Sequence, residues 1–342
     1  MHQLELDSGL RGLFWTHPCS RGLEKRREPP TAFVLPDTAQ SREPCESLRV
    51  GSQDRALQSV AVFYLIAFAL SWSIVIPQAA ADRGLINLQL PGAVGFLSPL
   101  APMLAAVLMS LREGGTAELK RLFRSLLLWR VAARWYAVIL LGFPLLALVA
   151  VALSFITSGH RPDLSASYIH SIFPEFPRNL SPWLLFLPFL LLSIVTTIPE
   201  ETGWRGFALP RLQRSWGPLL ASLAVGSLWG FWHLPDFFYL QAVQSGISFP
   251  LFLAGTVSTS ILFTWVFNGT GGSLLMVSIL HSSFNAADVF LPLLPQVTGT
   301  TLQLALYLAL ITAVAVILIV FSRLRFDRSS RFANGPWTRS RP

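Results

Sequence analysis

Apolar residues fill most of this chain in long blocks, and charged residues gather between the blocks rather than within them. Stretches without charge, long enough to cross a bilayer at about 20 apolar residues each, begin near Leu57, Pro91, Trp135, Ser181, Gly217, Phe249, Gly272 and Leu302. The segment between Asp236 and Asp288 holds no acid or base except His281, and Asn268-Gly269-Thr270-Gly271-Gly272 divides it into two helices, as a polar, glycine-rich cluster should. The pattern predicts an all-α polytopic membrane protein of about eight transmembrane helices. Between Gly114 and Tyr136, Leu119, Leu122, Phe123, Leu126 and Leu127 alternate with Lys120, Arg121, Arg124 and Arg130. That is the pattern of a helix lying in the interface, and a loop that anchors topology explains it equally well.

The apolar region is framed by two polar ends. Residues 1–55 are rich in Arg, Glu, Pro and Ser and hold no apolar run of signal-peptide length, so they read as a disordered cytoplasmic tail or an extension from an upstream start codon. Residues 56–325 form the transmembrane domain, and residues 326–342 a second basic tail. Both cysteines, Cys19 and Cys45, fall in the first tail, which points away from a disulfide framework, a cysteine metal cage or thiol catalysis.

Composition supports the membrane reading: 52% of the 342 residues are hydrophobic, 13% are charged and the mean hydropathy is +0.53. The net charge of +8 would suggest a nucleic-acid partner in a soluble protein, but here its placement gives a different explanation. Basic residues cluster before the first span (Lys25, Arg26, Arg27, Arg49, Arg55), between the second and third (Arg112 to Arg134), after the fourth (Arg205, Arg211, Arg214) and beyond the last (Arg323 to Arg341). This alternation follows the positive-inside rule and predicts both termini on the cytoplasmic side of the plasma membrane. No nucleic-acid partner is expected.

Against this background a few polar residues stand out at membrane depth, where charge is costly and marks function. Ile198-Pro-Glu-Glu-Thr-Gly-Trp-Arg-Gly206 contains Glu200, Glu201 and Arg205. Glu201 and Arg205 are four apart and can pair on one helix face, while Glu200 is rotated about 100° away and is the freer carboxylate. Trp229 precedes His233 by one turn, and His281 precedes Asn285 by one turn. If the chain turns at Ser215-Trp216-Gly217-Pro218, Glu200 and His233 each lie about 16 residues, or roughly 24 Å, from the turn and come side by side in an antiparallel hairpin. Asp236 and Asp288 read as caps or loop contacts, His160 and His170 as loop residues, and His2 and His17 as tail residues.

Each polar residue has a plainer use. A lone histidine in a transmembrane helix often serves as an interhelical hydrogen-bond donor, and Glu201 with Arg205 suits a structural pair. Together, however, Glu200, His233, His281 and Asn285 supply a carboxylate, two imidazoles and an amide, a set that suits hydrolysis. A buried carboxylate works as a general base closer to neutral pH, an imidazole beside it orients water, and a second imidazole and an amide can stabilise an oxyanion. The alternative is a zinc site with Glu200, His233 and His281 as ligands and water as the fourth. The chain has no His-Glu-x-x-His motif and lacks the short-range ligand spacing of common zinc enzymes, so the metal-free, cofactor-free reading is preferred.

In order along the chain, Glu200-Glu201-x-x-x-Arg205, Trp229-x-x-x-His233 and His281-x-x-x-Asn285 resemble the three motifs of the CAAX protease and bacteriocin-processing intramembrane proteases. That family includes the type II CAAX prenyl endopeptidases and lysostaphin-resistance protein A. The resemblance spans about Leu57 to Arg325. It implies that Glu200 and His233 activate water, that His281 and Asn285 stabilise the oxyanion, and that Glu201, Arg205 and Trp229 support the site. Trp229 stands where the family more often has Phe, which keeps an aromatic wall. The family has also been described as metalloproteases. The expected partners are membrane lipid and a membrane-associated peptide or CAAX-type protein substrate. The competing readings are a non-catalytic immunity or scaffold protein of the same family and a proton-coupled transporter, although no inverted repeat of the transporter kind is visible.

Overall fold

The backbone in the lipid phase has to satisfy its own hydrogen bonds, and the chain does so with helices alone: no β-strand occurs among the described residues. The structure is a computed structural model that describes residues 43–88, 92–164, 167–177 and 179–321. Cys19, His2, His17 and the basic run from Arg323 lie outside the described residues. The chain divides into two units, 1–54 and 55–342.

The long helices are α1 (Glu43–Asp82), α2 (Leu100–Arg124), α3 (Ala133–Ser158), α4 (Phe186–Glu201), α5 (Leu209–Trp232), α6 (Phe249–Gly269), α7 (Leu274–Phe290) and α8 (Leu302–Phe321). A π-helix, Thr202–Ala208, joins α4 to α5. Among the described residues, seven helical runs are long and apolar enough to cross a membrane, against the eight expected. The difference lies in the run Pro182–Phe238, which is 57 residues long and would extend about 85 Å if straight, far beyond a hydrocarbon core of about 30 Å. It does not run straight. Gly217 leaves helical geometry at φ 78°, ψ 170° inside α5 and is followed by Pro218. Beyond this break the chain turns back, so that Trp229 meets Glu200 across 29 residues of sequence. The left-handed φ is one that glycine adopts freely, and it falls inside the expected turn.

The other expected break is also present. Gly271 and Gly272 have φ of 71° and 87° between α6 and α7, and the hydroxyl of Ser273 caps α7 by accepting from the Met276 amide at 3.1 Å. The segment after Gly114 and Gly115, where α2 bends, corresponds to the amphipathic stretch. Leu122 on it is buried while Lys120, Phe123 and Arg124 are exposed.

Burial places α7 at the centre. Within the apolar window of the span beginning at Leu274, 72% of residues are buried, against 22% for α8. Outward-facing leucines such as Leu65, Leu145 and Leu187 are exposed, as lipid-facing positions should be. Close packing of the helices against one another relies on small residues. A Cβ on Gly226 would come within 2.8 Å of the Val257 Cα, and one on Gly203 within 2.5 Å of the Pro102 Cβ. The second contact presses the π-helix against α2. On its other side, Trp204 stacks on Tyr64 of α1 at 5.4 Å and 13°, so the segment that carries Arg205 is clamped between two helices.

Candidate active site

α4 ends in Glu200 and Glu201, the π-helix carries Arg205, the returning arm of α5 carries Trp229, and α7 carries His281 and Asn285. π-Helical turns occur often at functional sites, and this one lies directly beside the acidic pair. The elements enclose a cavity of about 270 Å³ whose wall includes Glu200, Trp229, His233, His281, Asn285 and Asp288. Ile172, from the short helix Ile169–Ile172, and Val243 and Gln244, from the 3-10 helix Val243–Gly246, add to the wall.

The two glutamates face different surroundings. Glu201 is fully buried and accepts Arg205 Nη1 at 3.1 Å and His281 Nδ1 at 2.9 Å, both on Oε1. Arg205 is fully buried as well. Its guanidinium carbon lies 5.0 Å from the centre of the Trp229 indole and 4.8 Å from that of the Phe263 ring. A desolvated cation against an aromatic face gains about 2 kcal/mol, which offsets part of the cost of burying it. Glu200 lines the cavity instead, and its Oε2 accepts the Trp229 indole N–H at 3.2 Å.

The imidazoles are held from behind by carboxylates. A carboxylate can only accept, so Nδ1–H donates in each pair: His281 to Glu201, and His233 to Asp236 Oδ2 at 2.7 Å. Such a partner fixes the ring's tautomer and orientation and leaves Nε2 as the nitrogen available to a water or substrate. His281 therefore offers an acceptor when neutral and donates to an oxyanion only when both of its nitrogens carry protons. Asn285 donates in any state. Its Nδ2 reaches Ser193 Oγ at 3.4 Å, a long contact that leaves a second N–H available.

Two residues read as caps or loop contacts have other surroundings. Asp236 is the partner of His233, and Asp288 contributes to the cavity wall with Oδ1 buried and without a hydrogen-bond partner. The signal for both was in the spacing, since Asp236 is three residues after His233 and Asp288 three after Asn285. Proximity to a helix end gave each a simpler use. Gln244, in the 3-10 helix Val243–Gly246, lies 3.5 Å from His233 Nδ1, and no local pattern pointed to it. Trp229, expected as an aromatic wall, is in addition a donor to Glu200.

As to metal, Glu200, His233 and His281 share the cavity, but no group of three or more His, Cys, Asp or Glu side chains among the described residues is arranged to hold an ion.

This geometry defines a polytopic helical membrane protein with a carboxylate, two carboxylate-backed imidazoles and an amide around one cavity. Residues 182–287 match the family described as type II CAAX prenyl endopeptidase Rce1-like. The chain is also similar to CAAX prenyl protease 2 of Methanococcus maripaludis, with 29% identity over 109 residues, which cover 29% of this chain and 39% of that protein. The matched family segment runs through all three motifs, from Glu200 to Asn285, so the part of the chain that carries them is similar to the Rce1-like family, in line with the resemblance of the motifs. The aligned part spans well under half the length of the Methanococcus maripaludis protein.

Proposed function

We propose that this protein is an intramembrane endopeptidase that cleaves a membrane-associated peptide or CAAX-type protein by glutamate-activated water. One observation carries the reading: Glu200, His233, His281 and Asn285 come from three separated stretches of sequence and line a single cavity. The relative's name, CAAX prenyl protease 2, supports the substrate class.

In this mechanism Glu200 takes a proton from a water that His233 orients through Nε2, and the resulting hydroxide attacks the scissile carbonyl carbon. The carbonyl π electrons move onto oxygen, where Asn285 and a doubly protonated His281 hold the oxyanion. Glu200 then delivers its proton to the departing amine as the C–N bond breaks. Glu201 and Arg205 position His281 and the end of α4. No step in this mechanism calls for a metal. The distribution of arginine and lysine supports an orientation with both termini cytoplasmic.

The test is cleavage of paired farnesylated and unprenylated membrane peptides by the purified protein, before and after treatment with a strong chelator, with Glu200→Gln as the control. Cleavage that survives chelation and disappears in the variant, while the variant remains folded, is the expected result. Near-normal cleavage by Glu200→Gln would remove Glu200 as the base. Activity lost on chelation and restored by zinc would make Glu200, His233 and His281 ligands.

A further inference from the structure

A second cavity, of about 610 Å³, lies away from the catalytic residues, bounded by α1, the bend of α2 and the part of α5 that precedes Gly217. Five guanidinium groups line it (Arg55, Arg112, Arg121, Arg211 and Arg214) with two carboxylates, Glu113 and Glu118. Both carboxylates are engaged with arginines of the same wall. Glu113 Oε2 accepts Arg211 Nε at 3.2 Å and Nη2 at 2.6 Å, and the Ser59 hydroxyl donates to its other oxygen. Glu118 accepts Arg121 Nη1 at 2.8 Å and Arg211 Nη2 at 3.4 Å. Arg211 also donates to the Phe207 carbonyl at 2.9 Å and lies over the Phe207 ring at 3.6 Å. The glutamates thus organise Arg211 and Arg121, and the lining carries five guanidinium groups against two carboxylates.

An anion with several oxygens matches such a wall, because the guanidinium fork is suited to phosphate. The surrounding surface indicates where that phosphate comes from. Leu104 and Leu108 of α2 are 47% and 54% exposed. Arg112 continues their row at the next i+4 position, so a lipid-facing apolar stripe ends in a guanidinium on the cavity wall. Immediately beyond it, Gly114 and Gly115 turn the chain, Gly115 in the left-handed region at φ 58°. The bend lets Glu118 and Arg121 line the same cavity as Arg112. We propose that this cavity binds the phosphate headgroup of an anionic phospholipid, with an acyl chain lying along the Leu104–Leu108 stripe. Basic pockets between transmembrane helices bind anionic headgroups in this manner.

The test is a titration of the purified, delipidated full chain followed by native mass spectrometry. The probes are phosphatidylglycerol, phosphatidylcholine with the same acyl chains, and inorganic phosphate. Phosphatidylglycerol should be retained in preference to phosphatidylcholine, and equal inorganic phosphate should not displace it. Arg112→Gln, at an exposed position, should weaken phosphatidylglycerol binding about fivefold. Adding Arg214→Gln should weaken it about 25-fold if the two effects add. Lys120→Gln removes an equal charge from an exposed position outside the cavity lining and should leave binding unchanged. Equal retention of the two lipids, or unaltered binding in both arginine variants, would overturn the proposal. So would a loss in Lys120→Gln as large as in Arg112→Gln, which would mean general surface charge. Displacement by inorganic phosphate would assign the cavity to a free anion rather than a lipid.

Discussion

The indole N–H of Trp229 donates to Oε2 of Glu200 at 3.2 Å, so the aromatic wall of the cavity also holds the carboxylate in place. Phenylalanine at this position would keep the wall without the bond. A hydrogen bond to a charged group is worth about 1.5–3 kcal/mol, roughly ten- to a hundredfold in rate. Trp229→Phe is therefore expected to lower kcat by that factor while KM stays close to the original value. Steady-state kinetics on a cleavable membrane peptide decides it, and unchanged kcat would mean that the bond does not position the base.

Asp236 stands behind His233 as Glu201 stands behind His281. In Asp236→Asn the amide can turn its N–H toward Nδ1, which forces the proton onto Nε2 and removes the lone pair that holds water. The expected result is a loss in kcat of about ten- to a hundredfold with the thermal unfolding midpoint little changed. A variant with full kcat would return Asp236 to the role of a loop contact.

Glu201 and Arg205 are both fully buried, so removing one partner strands the other's charge. Arg205→Met should destabilise the protein by about 3–5 kcal/mol. The double replacement with Glu201→Gln should recover part of that loss, because the amide oxygen still accepts from His281. Unfolding midpoints in detergent measure the difference, and a double variant less stable than Arg205→Met alone would show that the two are not an ion pair.

In the proposed mechanism Asn285 is the oxyanion donor that does not depend on a protonation state. Loss of one such donor typically costs about 10²–10³ in turnover. Asn285→Ala should lower kcat to that extent at nearly constant KM, the signature of an interaction made only in the transition state. A rise in KM at constant kcat would place Asn285 on the ground-state substrate instead.

Local periodicity made much of this molecule legible from the chain alone. The apolar spans, the breaks at Gly217 and at Asn268–Gly272, and the pairing of Glu201 with Arg205 each depend on residues a few positions apart, where helical geometry fixes who meets whom. The hairpin at Gly217 carried that reach further, because a turn of known position and two arms of known rise bring Glu200 and His233 to the same level. Contacts across 29 and 80 residues, from Trp229 to Glu200 and from His281 to Glu201, depend on how helices rotate against one another, and a helical pattern does not encode that rotation. Tertiary packing therefore decided that Glu201 serves two partners at once and that Asp288 lines the cavity. It also decided that arginines from α1, α2 and α5 enclose a second one. A polar side chain in lipid must find a partner, but which partner it finds is set by the neighbouring helix that packing brings against it.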